Sequence, residues 1–183
     1  MANIFEALVD HMKGTFDDEP KTPLHIGEAM GCWLYYTALA EEIPALEICL
    51  NTTTDDELQL IVKEGKDLGE SQLNRLAKFM LSEGVSLPEA DPHKPATESN
   101  AIPLGAKSTD TQIANLLSVK VGTNVVMCAT NMSQCVRNDI QLIWMELQSE
   151  KMLYGSKLKT MMRKRGWIKV PPYYYPPGMP EEQ

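Results

Sequence analysis

The first residues that could do chemistry are a histidine and a glutamate one helical turn apart, His25 and Glu28, in Leu24-His25-Ile26-Gly27-Glu28. An imidazole and a carboxylate three residues apart lie on one side of a helix, where they could hold a metal ion or a small ligand. The structural alternative makes Glu28 an acid at the positive end of a helix and His25 a hydrogen-bond partner of a loop. The sequence favours the structural alternative and leaves the ligand-binding one open.

Further polar residues interrupt apolar stretches. Gln72 breaks an apolar stripe, and Arg137 lies two positions before Asp139. Inward-facing polar side chains form hydrogen-bonded networks, because an unpaired polar group is costly away from water. We therefore expect Gln72, Arg137 and Asp139 to fix the register of the fold rather than to catalyse.

Motifs for metal and nucleophile chemistry are missing. A ferritin-type dimetal site needs Glu-x-x-His on two helices and a glutamate on each of two others. No histidine has a glutamate three positions before it: His11, His25 and His93. The segment from Thr111 to Asn138 contains no acidic residue, and no glycine-rich phosphate loop, His-Glu-x-x-His or Gly-x-Ser-x-Gly is present. We therefore expect no enzyme activity, no bound metal and no cofactor.

Composition narrows the classes of partner. The 183 residues carry a net charge of −8 with a pI near 4.9, which disfavours nucleic acid and anionic membranes as partners. No apolar run approaches the roughly 18 residues of a membrane span, and no signal peptide is visible at Met1. The four cysteines form no Cys-x-x-Cys pair, which favours reduced core thiols in a cytoplasmic protein.

Start and stop signals predict two long helices in the first half of the chain. Thr22-Pro23 has the form of an N-cap followed by proline at the first helical position, and Pro44 should kink or break this helix near residues 40–43. Apolar spacings of three and four place five residues on one of its sides: Ile26, Met30, Trp33, Leu34 and Thr37. Thr54-Asp55-Asp56-Glu57 is a capping box and Gly84 a stop, which predicts a helix over 55–83.

The second half predicts another helical pair. Thr109-x-x-Gln112 is a capping box, and no proline follows until after Arg165. One helix of that length would project beyond any core, so we expect a turn near residues 131–133. Gly166 ends the second helix of the pair. The preceding basic cluster, Arg163-Lys164-Arg165, either offsets the negative end of the helix dipole, which we favour, or binds an anionic partner.

Residues 85–107 predict a long crossover between the two pairs. Four prolines exclude a helix: Pro88, Pro92, Pro95 and Pro103. A segment of this length reaches about 75 Å when extended, whereas the helix over 55–83 spans about 43 Å. The crossover can therefore run the length of the bundle, as it does in ferritin-like folds.

The predicted architecture is an all-α, ferritin-like four-helix bundle with two appendages. Residues 1–21 carry a short helix over 4–13 and an acidic linker, residues 22–170 form the bundle, and residues 171–183 form an extended tail rich in proline and tyrosine. The tail fits the Pro-Pro-x-Tyr pattern of WW-domain ligands, but tyrosine packing or self-association is the favoured interpretation.

Six short motifs together resemble a known family. They are Leu24-His25-x-Gly27-Glu28, Gly84-Val85-x-Leu87-Pro88, Ile102-Pro103-x-Gly105-Ala106, Val136-Arg137-x-Asp139, Tyr154-Gly155 and Lys164-x-Gly166-Trp167. Over roughly residues 22–175 the chain resembles ferritin-like helical proteins of unknown function from endospore-forming bacteria. Some of these are described as putative spore coat proteins, related to the coat protein F group. The resemblance implies a ferritin-like domain made in the cytoplasm of a sporulating cell and placed in the spore coat, and it carries over no catalytic residue.

These observations predict a non-catalytic structural or interaction protein. Three consecutive tyrosines between prolines, an excess of methionine and the coat-related resemblance favour self-association, most simply as a homodimer that could also bind other coat proteins. The alternative function is binding of a small molecule or a single metal ion near His25 and Glu28. We expect neither nucleic-acid binding nor membrane insertion.

Overall fold

The computed structural model of the protein describes residues 21–174, and this range contains helices and no strand. The four long helices are α1 (Ile26–Thr52), α2 (Asp56–Ser82), α3 (Asp110–Gln134) and α4 (Asn138–Lys164). Two 3-10 turns, Ser99–Ala101 and Leu104–Ala106, lie between α2 and α3. The predicted all-α four-helix architecture is confirmed. The predicted helix over 4–13 and the tail beyond Tyr174 lie outside the described residues.

The connection between α2 and α3 runs the length of the bundle. Glu83, directly after α2, pairs with Arg137 in the turn between α3 and α4, at 2.6 Å. Asp110, the first residue of α3, accepts a 2.6 Å hydrogen bond from Thr53 at the end of α1. The end of α2 and the start of α3 therefore lie at opposite ends of the bundle, which confirms the predicted crossover. We name these the Arg137 end and the Arg165 end, after the arginine at each.

Two helices begin at residues other than those predicted. His25, not Thr22, is the N-cap of α1, and its Nδ1 accepts from the backbone of Gly27 and Glu28 while the Glu28 carboxylate accepts from the His25 N–H. A neutral imidazole nitrogen thus replaces the usual hydroxyl or carboxylate of a capping box. Asp55, not Thr54, caps α2, through its bond from the Leu58 N–H. The Thr109 box at α3 is confirmed.

Helix α1 departs from expectation in two further ways. It continues through Pro44, so the expected break is wrong. Pro44 and the adjacent Ile43 are buried, and their packing against the core stabilises the helix although Pro44 has no backbone N–H to donate. The apolar side predicted from the sequence is largely solvent-exposed, because Ile26, Met30 and Leu34 point away from the core. The buried side carries Cys32, Tyr35, Leu39 and Leu46 instead.

The hairpin turn and two helix ends follow local backbone chemistry. The turn between α3 and α4 occupies residues 135–137, slightly later than the predicted residues 131–133, and Val136 is exposed within it. Gly84 and Gly166, the predicted stops, both have positive φ values, +75° and +69°, which glycine adopts without steric cost.

The core divides into two apolar clusters. The cluster toward the Arg137 end includes Tyr35 and Trp144, whose rings meet edge to face at 5.4 Å. The cluster toward the Arg165 end includes Leu58, Leu117 and Leu158. Between the two clusters lies a layer of buried polar side chains, described below.

Composition alone marks one stretch as membrane-like, contrary to expectation. Leu104–Gln134, which contains α3, is long and apolar enough to cross a membrane, and a third of its most apolar window is buried inside the bundle.

The four cysteines are free, with Cys32, Cys49 and Cys128 buried and Cys135 half-buried. Burial raises the thiol pKa of Cys32 to about 12, so this thiol stays protonated and unreactive at neutral pH.

Candidate functional site

A buried ion pair lies at the middle of the bundle. Lys151 of α4 is 1% exposed, and its Nζ lies 3.5 Å from Oε1 of Glu42 of α1. Asn124 of α3 donates from Nδ2 to the other Glu42 oxygen at 2.7 Å. Three helices are thereby joined at one level, and each charge retains a partner where water is excluded.

The fourth helix joins this layer through Gln72. Its side-chain amide donates to the Leu147 carbonyl at 3.0 Å and to Glu150 at 2.9 Å, while its oxygen accepts from the Tyr35 hydroxyl at 3.1 Å. Glu150 also pairs with Arg75 of α2. Gln72, a site candidate from the sequence, thus lies in the interior, far from His25.

The layer does not fit a dimetal centre. A ferritin-type centre surrounds two cations with inward-facing carboxylates and histidines. Here the inward groups are one carboxylate, Glu42, two amides, Asn124 and Gln72, and one ammonium, Lys151. The ammonium already supplies the positive charge that neutralises Glu42, so a metal ion would meet like charge and too few anionic ligands.

A second polar network lies at the Arg137 end. The Arg137 guanidinium donates to both Glu83 oxygens at 2.6 and 2.8 Å, and to both Asp139 oxygens at 3.0 and 2.7 Å. It also donates to the Thr22 carbonyl at 2.9 Å. This bidentate pairing raises the pKa of Arg137 and lowers that of Asp139. Three segments, the approach to α1, the end of α2 and the start of α4, therefore meet on one guanidinium.

His25 and Glu28 belong to the same end. The Glu28 carboxylate accepts from the backbone N–H groups of Val136 and Arg137 at 2.8 and 3.0 Å, and from that of His25 at 3.1 Å. His25 Nε2 lies 3.2 Å from the Gln134 carbonyl and so carries the proton that it donates. Burial alone would raise the pKa of Glu28, but these backbone donors outweigh it and hold the pKa below its ordinary value.

Four of the five site candidates from the sequence therefore come together: His25, Glu28, Arg137 and Asp139. Their polar atoms are engaged in holding the start of α1 against the turn between α3 and α4. The carboxylate and carbonyl acceptors of this network already receive hydrogen bonds from donors of the chain, so the network fixes the register between α1 and the turn that joins α3 to α4.

A third cluster could hold a cation. Side-chain ligand atoms of Glu47, Glu70 and His93 lie within 4.8 Å of one another. Glu47 accepts from the Lys94 backbone N–H at 2.6 Å, which secures the crossover to α1. The Lys66 ammonium lies 3.1 Å from Glu47 and 3.3 Å from Glu70, and the hydrogen bond that it donates to Glu47 raises the Lys66 pKa. A metal ion here would have to displace Lys66.

Sequence reasoning missed the central Glu42, Asn124 and Lys151. A signal existed, because each interrupts an apolar stripe at spacings of three and four. Lys151, for example, follows Leu147 by four positions and precedes Tyr154 by three. The same signal identifies Gln72, whereas Glu42 and Lys151 belong to charged residue types that are rarely fully buried.

The fold and these networks define the chain as a four-helix, ferritin-like bundle. It belongs to the family of proteins of unknown function DUF3231, which matches residues 12–179. It is similar to the uncharacterized protein YvdQ of Bacillus subtilis strain 168, with 28% identity over 163 residues that cover 89% of this chain and 94% of that one.

Solved structures extend the comparison. A putative spore coat protein from Bacillus halodurans C-125 is similar with a TM-score of 0.82 and 28% identity, over 85% of this chain and 98% of that one. A DUF305 fragment from Deinococcus radiodurans has a TM-score of 0.61 at 11% identity, over 78% of this chain and 99% of that one. A two-domain protein from Anabaena variabilis, containing DJ-1/ThiJ/PfpI-like and ferritin-like domains, has a TM-score of 0.62 at 12% identity, over 95% of this chain and 52% of that one. The last two likenesses concern the fold alone.

Proposed function

We propose that this chain is a non-catalytic structural or interaction protein of the spore coat. The observation that carries the proposal is that the buried polar groups of Glu28, Glu42, Gln72 and Arg137 are bonded to partners within the bundle. A ligand site needs convergent polar groups that remain available in a cavity. The likeness to a solved protein described as a putative spore coat protein supports the coat assignment.

Spore fractionation tests the location. In a sporulating host that expresses the chain, antibody detection should find it in the coat extract of purified spores. Recovery only from the soluble fraction of the cell would contradict the coat assignment. An unrelated cytoplasmic protein, followed in the same fractions, controls for contamination.

A self-associating role is part of the proposal, with the tail as a contributor. Tyr173 and Tyr174 are strongly exposed, and exposed tyrosines supply contact area at low entropic cost. Light scattering should show a smaller apparent mass for a chain that ends at Val170 than for the full-length chain. A full-length monomer, with the shorter chain merely less stable, would mean that the tail packs on its own bundle.

A second candidate function is binding of a single metal ion at Glu47, Glu70 and His93, which the proximity of their ligand atoms favours. Zinc is the appropriate probe because it accepts both histidine and carboxylate ligands. Elemental analysis after zinc dialysis should show one ion per chain if this candidate is correct, and none in His93→Ala. Under the structural proposal Lys66 keeps the carboxylates, and only Lys66→Met should gain zinc.

A further inference from the structure

Two neighbouring helices carry a second apolar seam on their outer sides. On α3, five exposed residues follow one another at spacings of three and four: Leu116, Val119, Thr123, Val126 and Thr130. On α1 the outer line follows at spacings of four, three and four and then of seven, which is two turns: Met30, Leu34, Thr37, Glu41 and Ile48. Such spacing is that of helices that pack on another helix, yet the inner sides of α1 and α3 already pack in the core. We name these ten residues the α1–α3 face.

Charge distribution separates this face from the rest of the bundle. In α1 the other acidic residues, Glu28, Glu42 and Glu47, are buried, so Glu41 is the exposed charge of that helix. Between the ends of α3 the single charged residue is Lys120. Helix α2, by contrast, has a strongly charged outer side: Asp56, Glu57, Lys63, Glu64, Lys66, Asp67, Glu70, Arg75 and Lys78.

The two helices lie side by side, so their seams form one surface. Asn124 of α3 contacts Glu42 of α1, and Asn131 of α3 lies against Gly31 of α1, where an added Cβ would come within 2.7 Å of the Asn131 side chain. Helix α3 is about 37 Å long, and two adjacent helices are about 20 Å wide. The surface therefore measures roughly 700 Å², close to the roughly 800 Å² that each partner buries in a stable complex.

We propose that the α1–α3 face is the contact between two copies of this chain. The inference rests on the proposed self-associating function and gives it a location. A second copy is the occupant that the charges favour, because a face almost without charge avoids the repulsion that a net charge of −8 imposes elsewhere. An isologous dimer places each seam against a seam of matching spacing.

Glu41, the one charge of the face, and Lys120, which lies beside the face on α3, set the orientation. Glu41 adjoins Glu42, and Lys120 lies one turn before Asn124, so both lie near the middle of the bundle. If the two-fold axis of the dimer runs parallel to the helices, α1 of one copy packs on α3 of the other. This arrangement brings Glu41 toward Lys120 of the partner subunit. A perpendicular axis sets α1 against α1 and brings two copies of Glu41 together, which is unfavourable. Neither Glu41 nor Lys120 forms an ion pair within the part of the chain that the structure describes.

Charge reversal on the full-length chain tests the contact. Sedimentation velocity should show that Glu41→Lys and Lys120→Glu each weaken the dimer roughly 10-fold or more, and that the double variant recovers most of the affinity. Val126→Glu, on the exposed seam, should weaken it at least as strongly. Matched controls on α2, Asp67→Lys and Lys63→Glu, make the same charge changes away from the face and should leave the dimer intact. Circular dichroism confirms that each variant is folded.

The outcomes separate the contact from the function. A wild-type dimer that is insensitive to Glu41→Lys, Lys120→Glu and Val126→Glu overturns the α1–α3 face and leaves self-association standing. Loss of the dimer in Val126→Glu without recovery in the double reversal overturns the proposed orientation. A wild-type monomer overturns both the contact and the self-associating function. A monomer that sediments with phosphatidylcholine vesicles, and loses that binding in Val126→Glu, would assign the face to a membrane instead.

Discussion

The two ends of the bundle use the same chemistry at different depths. At one end Arg137 joins Glu83 and Asp139; at the other Arg165 joins Asp55 and Glu57, with closest distances of 3.1 and 3.0 Å. The Arg137 side chain is 7% exposed, whereas that of Arg165 is 36% exposed and also lies 5.6 Å from the Trp167 ring.

The burial of each arginine determines how much its ion pairs contribute to the stability of the fold. Removing one partner of a buried ion pair leaves an uncompensated charge away from water, whereas water and salt replace an exposed partner at little cost. The Arg137 end therefore fixes how α1, α2 and the turn between α3 and α4 meet. The Arg165 end offsets the helix dipole and contributes little further stability.

The largest expected effect is that of Arg137→Ala. It leaves Glu83 and Asp139 close together with the exposed Lys21 ammonium, 2.9 Å from Asp139, as the remaining cation, and we expect a loss of about 3–5 kcal/mol in the free energy of unfolding. Urea denaturation followed by circular dichroism measures it. A loss below about 1 kcal/mol would show that this network is no more important than a surface ion pair.

Glu28→Gln should have the next largest effect. In the wild-type protein both Glu28 oxygens accept hydrogen bonds from backbone N–H groups. The glutamine amide keeps one acceptor oxygen, but its NH₂ group replaces the other oxygen and faces a backbone N–H, which it cannot accept from. We expect a loss of about 2 kcal/mol, because bonds to a charged acceptor are stronger than neutral ones. Glu89→Gln, at an exposed glutamate of the crossover outside the α1–α3 face, is the matched control and should change stability little. Equal effects of the two substitutions would contradict a structural role for Glu28.

The Arg137 end should also make stability depend on pH. The Arg137 guanidinium lowers the pKa of Glu83, and the pKa of Asp139 is lowered for the same reason. The folded state then binds fewer protons than the unfolded state, so the stabilisation is complete above the ordinary pKa values of 4.5 and 3.8 and is lost as pH falls below them. We expect a loss on the order of 2 kcal/mol in acid denaturation, and a clearly smaller one in Arg137→Ala. If the stability of the wild-type protein and that of Arg137→Ala fall equally as the pH is lowered, Glu83 and Asp139 are not responsible for the pH dependence.

The smallest expected effect is that of Arg165→Ala at the opposite end. We expect a loss of about 0.5 kcal/mol at low salt, since exposed pairs contribute little. The loss should shrink further at high salt, because exposed charges are screened. A loss of stability as large as that in Arg137→Ala would contradict the claim that burial determines how much each arginine contributes.

Helix boundaries were predictable where capping chemistry is conventional. Thr109 and Gln112 form the expected box, and glycine marks both stops, because few residues suit these positions. The start of α1 was not predictable from capping preferences, since His25 uses a ring nitrogen as the acceptor. The continuation of α1 through Pro44 depends on burial, which local sequence does not show.

The candidate site was predictable in part. Histidine, glutamate and arginine near helix ends stand out in the sequence, and Glu28 and Arg137 do meet through backbone bonds. The central pair was missed because Glu42 and Lys151 are ordinary surface residue types, and their mutual burial arises from helices 109 residues apart in the chain. The predicted stripe of α1 contains Met30, Leu34 and Thr37 of its outer seam, but spacing alone does not tell an inner side from an outer one.

The central claim, a self-associating structural bundle, is tested most directly by the mass of the unmodified chain in solution. Light scattering across micromolar concentrations should report about 41 kDa, twice the 20.5 kDa of one chain. The mass should fall toward one chain only on dilution, as expected for a reversible isologous dimer. A constant mass of 20.5 kDa at every concentration would contradict the account.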